Sequence, residues 1–309
     1  MKNKVIAVVV TYNRLKLLKR VVDSLSKQTY ELSNIIIVNN GSSDGTTDYL
    51  TSLENDSNFI VINQENVGGS GGFYRGIQEA LKFDCNWIWC MDDDVFPMED
   101  CLEVLLNYSD KSTDRNGILC PKRIMNGSVF ISETKKINLT NPFKFIYNCC
   151  LTREDLETSE AVDIEGMAFE GPLIKREVVE NVGLPNKDFF ILYDDTEYSY
   201  RAVLAGFHVK VVSKAVMNKY NHQSTLTYKE DKIKNKWKLA YHFRNTAFFC
   251  HKYGKNIFFK YLGTLPFFVS MYAAITFNFL KGHKYSFSDY FLILRMIKNG
   301  IKGKLGIIK

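Results

Sequence analysis

The sequence contains no CxxC pair, no internal repeat, no low-complexity tract and no Walker-type lysine after a glycine-rich loop. Seven cysteines, scattered and odd in number, do not form a disulfide framework; they point to a reducing compartment and buried thiols. Without repeats or compositional bias the chain is neither an array nor a disordered segment. Residues 1–4 run straight into an apolar stretch, so no targeting segment is expected. No GxGxxG follows the first predicted strand, which argues against a dinucleotide or P-loop nucleotide site. What remains is 309 residues with 46% hydrophobic and 14% aromatic content, enough for one large domain or a domain with a smaller appendage.

Charge is unevenly placed. The formal net charge is +6, yet residues 228–309 hold 16 Lys/Arg against 3 Asp/Glu, a surplus of +13. Residues 1–227 therefore carry about −7. A basic, aromatic-rich end on an acidic body points to an anionic surface, either membrane lipid or nucleic acid. No nucleic-acid-binding motif accompanies it.

Residues 4–10 are a continuous apolar run rich in β-branched side chains, hence a buried strand. Thr11-Tyr12-Asn13-Arg14 breaks it, and Leu15, Leu18, Val22 and Leu25 follow at helical spacing. Residues 35–38 and 59–62 repeat the strand pattern. The first ends in a dense polar turn, Asn39 to Thr46, which leads into a helix over 46–53. Gly68-Gly69-Ser70-Gly71-Gly72 reads as a loop, either a flexible turn or one letting backbone approach a ligand, before a helix over 74–83. Trp87 to Met91 is an apolar strand ending abruptly in Asp92-Asp93-Asp94. This βαβαβαβ order predicts a doubly wound, mostly parallel sheet.

Beyond Pro97 a helix carries Leu102, Leu105 and Leu106, and residues 117–120 form a short strand stopped by Pro121. Residues 122–160 read as a hairpin or irregular insertion near the site, and 164–174 are apolar and glycine-rich. A helix over 176–182 is followed by an apolar run, 189–193, that stops at Asp194-Asp195 before a helix over 196–204. Residues 206–212 form a turn and a last strand. From Lys232 the chain is helical and basic, and residues 262–280 carry no formal charge, the length of a membrane span. Pro266, Thr264, Ser270, Thr276 and Asn278 favour instead a buried helical pair or helices lying in the membrane surface. Lys255, Lys260, Lys281, Lys284, Arg295, Lys298, Lys302, Lys304 and Lys309 around it suit contact with anionic lipid.

Three adjacent carboxylates repel one another. They are stable in a solvated turn or around a hard cation such as Mg²⁺ or Mn²⁺. In a parallel sheet the ends of the first, second and acidic strands share one edge, where ligands bind. Small polar groups at that edge can read a base and ribose, and an aspartate-held cation can hold a diphosphate. Asp194-Asp195 then either supplies a base or caps the following helix. The chemistry implied is group transfer from carbon to an oxygen acceptor.

Taken in order, Val9 to Arg14, Ile37 to Thr46, Asn66 to Phe73, Met91 to Asp94, Asp194-Asp195-Thr196-Glu197 with Arg201, and His222 resemble an inverting, family-2-type glycosyltransferase. The Gly-Gly-Ser-Gly-Gly-Phe stretch and Tyr241-His242-Phe243-Arg244-Asn245 look closest to its galactofuranosyl- and rhamnosyl-transferase branch, which builds bacterial surface polysaccharide on lipid-linked acceptors. The resemblance implies an α/β, Rossmann-like A-type domain over residues 1–227, with its acceptor side at about 120–227. Residues 228–309 would be a helical, basic extension.

By the same resemblance, Thr11, Asn13, Arg14, Asn39, Asp44, Gly69, Gly72, Arg75, Asp92 and Asp93 would bind the donor. Asp94, with Asp92 and His222, would hold Mn²⁺ or Mg²⁺. Asp195 would be the general base, with Asp194 beside it, and Gly166, Met167, Glu197 and Arg201 would line the acceptor side. Asn39 stands where the family usually has an aspartate. Asp44 also reads as a turn cap, and Glu197 with Arg201 as an ordinary ion pair one helical turn apart. The implied partners are a nucleotide-diphosphate sugar (UDP-galactofuranose, or dTDP-rhamnose as the alternative), a lipid-linked glycan and the inner face of the cell membrane. A nucleic-acid-binding protein using the basic tail is the alternative from another class.

Overall fold

The computed structural model describes residues 2–111, 115–222, 236–280 and 287–308. The expected boundary at 227 lies outside them, as do Lys232, Lys281, Lys284 and Lys309. Two compact units emerge, both discontinuous in sequence: residues 1–135, 150–187 and 195–221 form the first, and 136–149, 188–194 and 222–309 the second.

The first unit is built on β1 (Val5–Thr11), α1 (Leu15–Ser26), β2 (Asn34–Asn39), α2 (Thr46–Leu53), β3 (Phe59–Asn63), α3 (Gly68–Ala80) and β4 (Trp87–Asp92). β1 is buried along its whole length, as its unbroken apolar run requires. Ile6, Val8 and Val10 face the core that holds Phe73 and Ile77 of α3; Val5, Ala7 and Val9 face Leu18, Val21 and Leu25 of α1. Helices therefore cover both faces, and β3-β2-β1-β4 pair in parallel as expected.

The chain continues through β5 (Val95–Pro97), α4 (Cys101–Lys111), β6 (Asn116–Met125), β7 (Ser128–Phe130), β8 (Thr134–Ile137), β9 (Tyr147–Cys150), α5 (Arg153–Thr158), β10 (Ala161–Asp163), β11 (Leu173–Lys175), α6 (Arg176–Val182), α7 (Asp194–Leu204) and β12 (His208–Lys219). The main sheet runs β10-β12-β6-β11-β4-β1-β2-β3, with β5 on β12 and β7 on β6. The fold is thus an α/β domain with a largely parallel central sheet. β8 and β9 form a separate two-stranded sheet.

Three expectations need correction. Pro121 does not stop its strand: β6 runs through it and pairs with β12, whose register shifts between Val212 and Val216. An irregularity of this kind is where a strand accommodates a residue without an N–H. The glycine-rich stretch is not a loop but the first turns of α3. A Cβ at Gly72 would fall 2.5 Å from Val10 Cγ1, and one at Gly76 would collide with Val8. These glycines let α3 lie directly on β1. Lastly, five cysteines are buried free thiols but Cys149 and Cys150 are exposed, because β9 is solvent-facing from Asn148 onward.

The second unit contains α8 (Lys236–Tyr253), α9 (Ile257–Leu262), α10 (Leu265–Leu280) and α11 (Phe287–Ile301). Gly300 of α11 sits where any Cβ would strike Arg244 O and Ala247 of α8, so the two helices meet backbone to backbone. Ile257–Phe277 is, among the described residues, the one stretch long and apolar enough to cross a membrane, and only 17% of it is buried. It is weakly apolar and divided at 263–264 between α9 and α10, in keeping with peripheral rather than integral membrane association.

Candidate active site

The register of the parallel strands brings the expected ends together. Val10 lies opposite Asp92 and Thr11 opposite Asn39. Asp93 is the pin of this edge. It accepts from Thr11 Oγ1 at 2.7 Å and from the Tyr12 N–H at 3.3 Å, and it pairs with Arg14 at 2.9 Å. Burial pushes its carboxyl up, against the pull of Arg14 and the Thr11 hydroxyl.

Asn13, held at φ 53°, donates its N–H to Ser42 Oγ and accepts from Ser43 N–H at 2.7 Å. Asn and Asp are the non-glycine residues that tolerate this region best. Asp44 accepts from the Leu15 N–H at 3.0 Å and from the Thr46 hydroxyl at 2.6 Å, so one carboxylate serves the starts of both α1 and α2. Burial alone would raise it, but these donors outweigh that and hold it below its usual range. Asn39 donates to Thr47 Oγ1 and Asn63 Oδ1 and accepts from the Ser42 N–H. An aspartate here could not make the two donations, which accounts for the amide. Thr11, Asn13, Asn39, Asp44 and Asp93 thus staple the edge loops to one another.

Asp92, Asp94 and Arg14 lie at the same edge. Asp92 is half-buried, and burial together with Asp94, Glu170 and Asp93 raises its carboxyl well above the usual range. Asp94 is buried and lies 3.2 Å from Arg14 and 3.5 Å from Lys219. Burial opposes the charge on Arg14, but Asp93, Asp94 and Asp92 outweigh it.

Lys219, at the end of β12, also pairs with Glu170 at 2.7 Å, and buried Arg123 bonds both Glu170 and Glu133. The sequence points to residues 165–172, Glu170 among them, as an acceptor-side wall or a strand connection, but not to Lys219 or Arg123. Glu165 and Glu170 are the two charges of that glycine-containing loop; the two cations carry no such signal. In this ladder Asp92, Asp93, Asp94, Glu133 and Glu170 alternate with Arg14, Arg123 and Lys219.

Residues 165–172 join this edge to α7. At one end the Met167 N–H donates to Ser199 Oγ and Ser199 donates to Glu165 O at 2.9 Å. In the middle Phe169 stacks on Phe73 at 4.4 Å and meets Tyr198. At the other end Gly171 and Pro172 bond to both sides of Cys90, two residues before Asp92. Asp194 and Asp195 open α7, where carboxylates favour the helix dipole, and Asp195 accepts from the Thr196 N–H at 2.6 Å. The helix begins at Asp194 rather than Thr196, so Asp195 lies in its first turn.

The remaining expected residues divide. Met167 is buried in the core and Gly166 bridges to Thr134, so neither presents a side chain to an acceptor. Glu197 is buried and pairs with Arg201 at 2.9 Å, while Arg201 also reaches Val182 O and Leu184 O; the pair ties α7 to the segment after α6. Gly69 has open space around it, and Arg75 pairs with Glu79 along α3. His222 is exposed and belongs to the second unit. Among the described residues no three His, Cys, Asp or Glu side chains are grouped to hold a metal.

Before Asp194 the chain is contorted. Phe190, Leu192 and Tyr193 have φ of 67°, 68° and 70°, a region costly for such residues. Asn245 of α8 compensates: its amide donates to the carbonyls of Phe189, Ile191 and Leu192, and Arg244 bonds Phe189 O at 2.9 Å.

A doubly wound sheet with an acidic strand end at its ligand edge defines a nucleotide-sugar-binding α/β domain of the A type. Two solved structures share this fold. The chain superposes on GalNAc-T7, crystallised with UDP, GalNAc and Mn²⁺, with a TM-score of 0.59 at 16% identity over 92% of this chain and 59% of that one. It superposes on residues 1–349 of TarS from S. aureus with a TM-score of 0.57 at 14% identity, over 96% and 81%. Residues 6–167 match glycosyl transferase family 2, and the chain belongs to that family.

Among curated relatives, a galactofuranosyltransferase of Mycolicibacterium smegmatis is 27% identical over 65% of this chain and 66% of its own length. A poly-beta-1,6-N-acetyl-D-glucosamine synthase of Staphylococcus aureus is 24% identical over 64% of this chain and 45% of its own length. The chain spans just under two thirds of the first relative and less than half of the second.

Proposed function

We propose that the chain is an inverting, metal-dependent glycosyltransferase. It moves galactofuranose from UDP-galactofuranose to a hydroxyl of a lipid-linked glycan in bacterial surface polysaccharide synthesis, at the cytoplasmic face of the membrane. The observation that carries this reading is the acidic edge: Asp92 and Asp94 beside Arg14 and Lys219, with α7 tied to it through residues 165–172. The galactofuranosyltransferase relative supports the donor sugar.

The donor set fits a divalent cation. Its groups are hard oxygens, and burial together with the charges of Asp94, Glu170 and Asp93 pushes Asp92 up, a penalty that a bound cation would relieve. Asp92 and Asp94 would hold Mn²⁺ or Mg²⁺, which supplies charge stabilisation to the departing diphosphate. Arg14 and Lys219, already beside Asp94, add fixed positive charge where negative charge grows. Asp195 takes the proton of the acceptor hydroxyl as that oxygen attacks the anomeric carbon opposite the diphosphate, and the carbon inverts. A nucleotide diphosphate leaves without protonation by a second carboxylate, unlike the leaving group in glycoside hydrolysis.

The test is incubation of purified protein with Mn²⁺, a lipid-like acceptor and each of UDP-galactofuranose, dTDP-rhamnose and UDP-N-acetylglucosamine. Transfer from UDP-galactofuranose above the others is expected. Preference for either of the others would replace the donor, and no transfer or hydrolysis from any would remove the enzyme reading.

A further inference from the structure

The second unit contains a cleft that the sugar chemistry does not use. It measures about 250 Å³ and lies between α8, α11 and residues 304–308. Arg244, Arg295, Lys304 and Asn299 form its polar wall, and Met296 and Ile307 part of its apolar one; no lining residue is acidic. None of the three cations is in an ion pair among the described residues.

Arg244 is the unusual member. It is 2% exposed, fixed by bonds to Asn245 Oδ1, Gly306 O and Phe189 O, and stacked on Tyr241. Its hydrogen-bond acceptors are all neutral, and burial holds its pKa below the usual range although Tyr241 and Asp188 partly offset the cost. The tail that closes the cleft is itself fixed, since the Ile308 N–H donates to Tyr241 Oη at 3.0 Å. The cleft is therefore fixed on the side of Arg244 and the tail, and Arg244, Arg295 and Lys304 together line it, side chains of the kind that bind phosphate.

Its surroundings say what kind of phosphate. Ile307, on the wall, is 60% exposed, and on α11 Phe291 and Leu294 are 70% and 50% exposed. Ile257, Phe258, Val269, Phe277 and Leu280 of the same unit are also exposed. Charge for a phosphate beside apolar surface for hydrocarbon matches a phospholipid. We infer that this cleft binds the anionic phosphate headgroup of a membrane lipid and so fixes where the protein docks on the membrane. The inference deepens the membrane part of the proposed function and rests on it.

Vesicle flotation of the full chain tests it. Vesicles of phosphatidylglycerol with phosphatidylcholine are compared with phosphatidylcholine alone, for wild type, R295Q/K304Q and K298Q/K302Q. The second pair removes the same charge from the same stretch of chain but does not line the cleft. Diffuse attraction to a charged surface weakens both pairs equally. Headgroup binding instead predicts that R295Q/K304Q loses about tenfold more affinity than K298Q/K302Q, with R295K/K304R largely restored.

Equal losses in the two pairs would overturn the cleft while leaving membrane association standing. Absence of wild-type binding to either vesicle would overturn both. Inorganic phosphate bound in an Arg295- and Lys304-dependent way, without vesicle binding, would make this a free-anion site and sink the lipid assignment.

Discussion

Asp93 gathers Thr11, Tyr12 and Arg14 at the sheet edge, so its loss should be felt as stability. Asp93→Asn removes an acceptor charge from a buried set of hydrogen bonds and should cost about 1–3 kcal/mol in urea unfolding. Arg14 is half-exposed, which limits what the ion pair itself adds. Asp94→Asn should fold with a smaller loss and abolish Mn²⁺-dependent donor binding. A larger stability loss for Asp94→Asn than for Asp93→Asn would reverse these assignments. The sequence marked all three aspartates but could not divide their tasks, because the division depends on which carboxylate meets β1. Asn39 and Asp44 were legible as polar turn residues; their internal partners, Asn63 and Leu15, come from other parts of the chain.

The parallel strands were readable from unbroken β-branched runs, since a strand buried on both faces needs no alternation. α3 was not, because Gly68 to Gly72 have poor helix propensity and only contact with β1 makes them helical. Gly76→Ala, which sets a methyl against Val8 and Val38, should destabilise by about 1–3 kcal/mol although alanine favours helix. An unchanged melting temperature would show that α3 can shift outward freely. The left-handed backbone at Phe190, Leu192 and Tyr193 runs against what those residues prefer, so no sequence rule finds it. Asn245 supports the backbone that leads into Asp194, and with Asp195 as the proposed base it would act as a positioning residue. Asn245→Leu should lower kcat by roughly 10- to 100-fold with donor KM nearly unchanged. A change confined to KM would place Asn245 elsewhere in the mechanism.

Across the molecule, one titration should show in stability. Burial in the second unit holds His242 down at about 4 from its ordinary 6.5. The unfolded chain takes this proton up first as pH falls, so the contribution is complete above about pH 6.5 and is lost toward pH 4. Between pH 7.5 and pH 5 the loss should be about 2 kcal/mol in chemical denaturation, and His242→Phe should flatten it. A slope unchanged in that variant would assign the pH dependence to other groups. The split into an acidic body and a basic end was visible in composition alone. The assignment of residues 136–149 and 188–194 to the second unit was not, because it depends on contacts between distant parts of the chain.

The proposed reaction requires a cation-assisted diphosphate at Asp92 and Asp94, with Asp195 acting separately as the base. Calorimetry of UDP binding, with and without Mn²⁺, on wild type, Asp94→Ala and Asp195→Ala separates the two tasks when paired with single-turnover transfer. Asp94→Ala should lose the Mn²⁺-dependent binding. Asp195→Ala should bind UDP with Mn²⁺ as the wild type does, yet transfer at less than about a hundredth of its rate. Mn²⁺-dependent binding kept in Asp94→Ala, or transfer kept in Asp195→Ala, would contradict it.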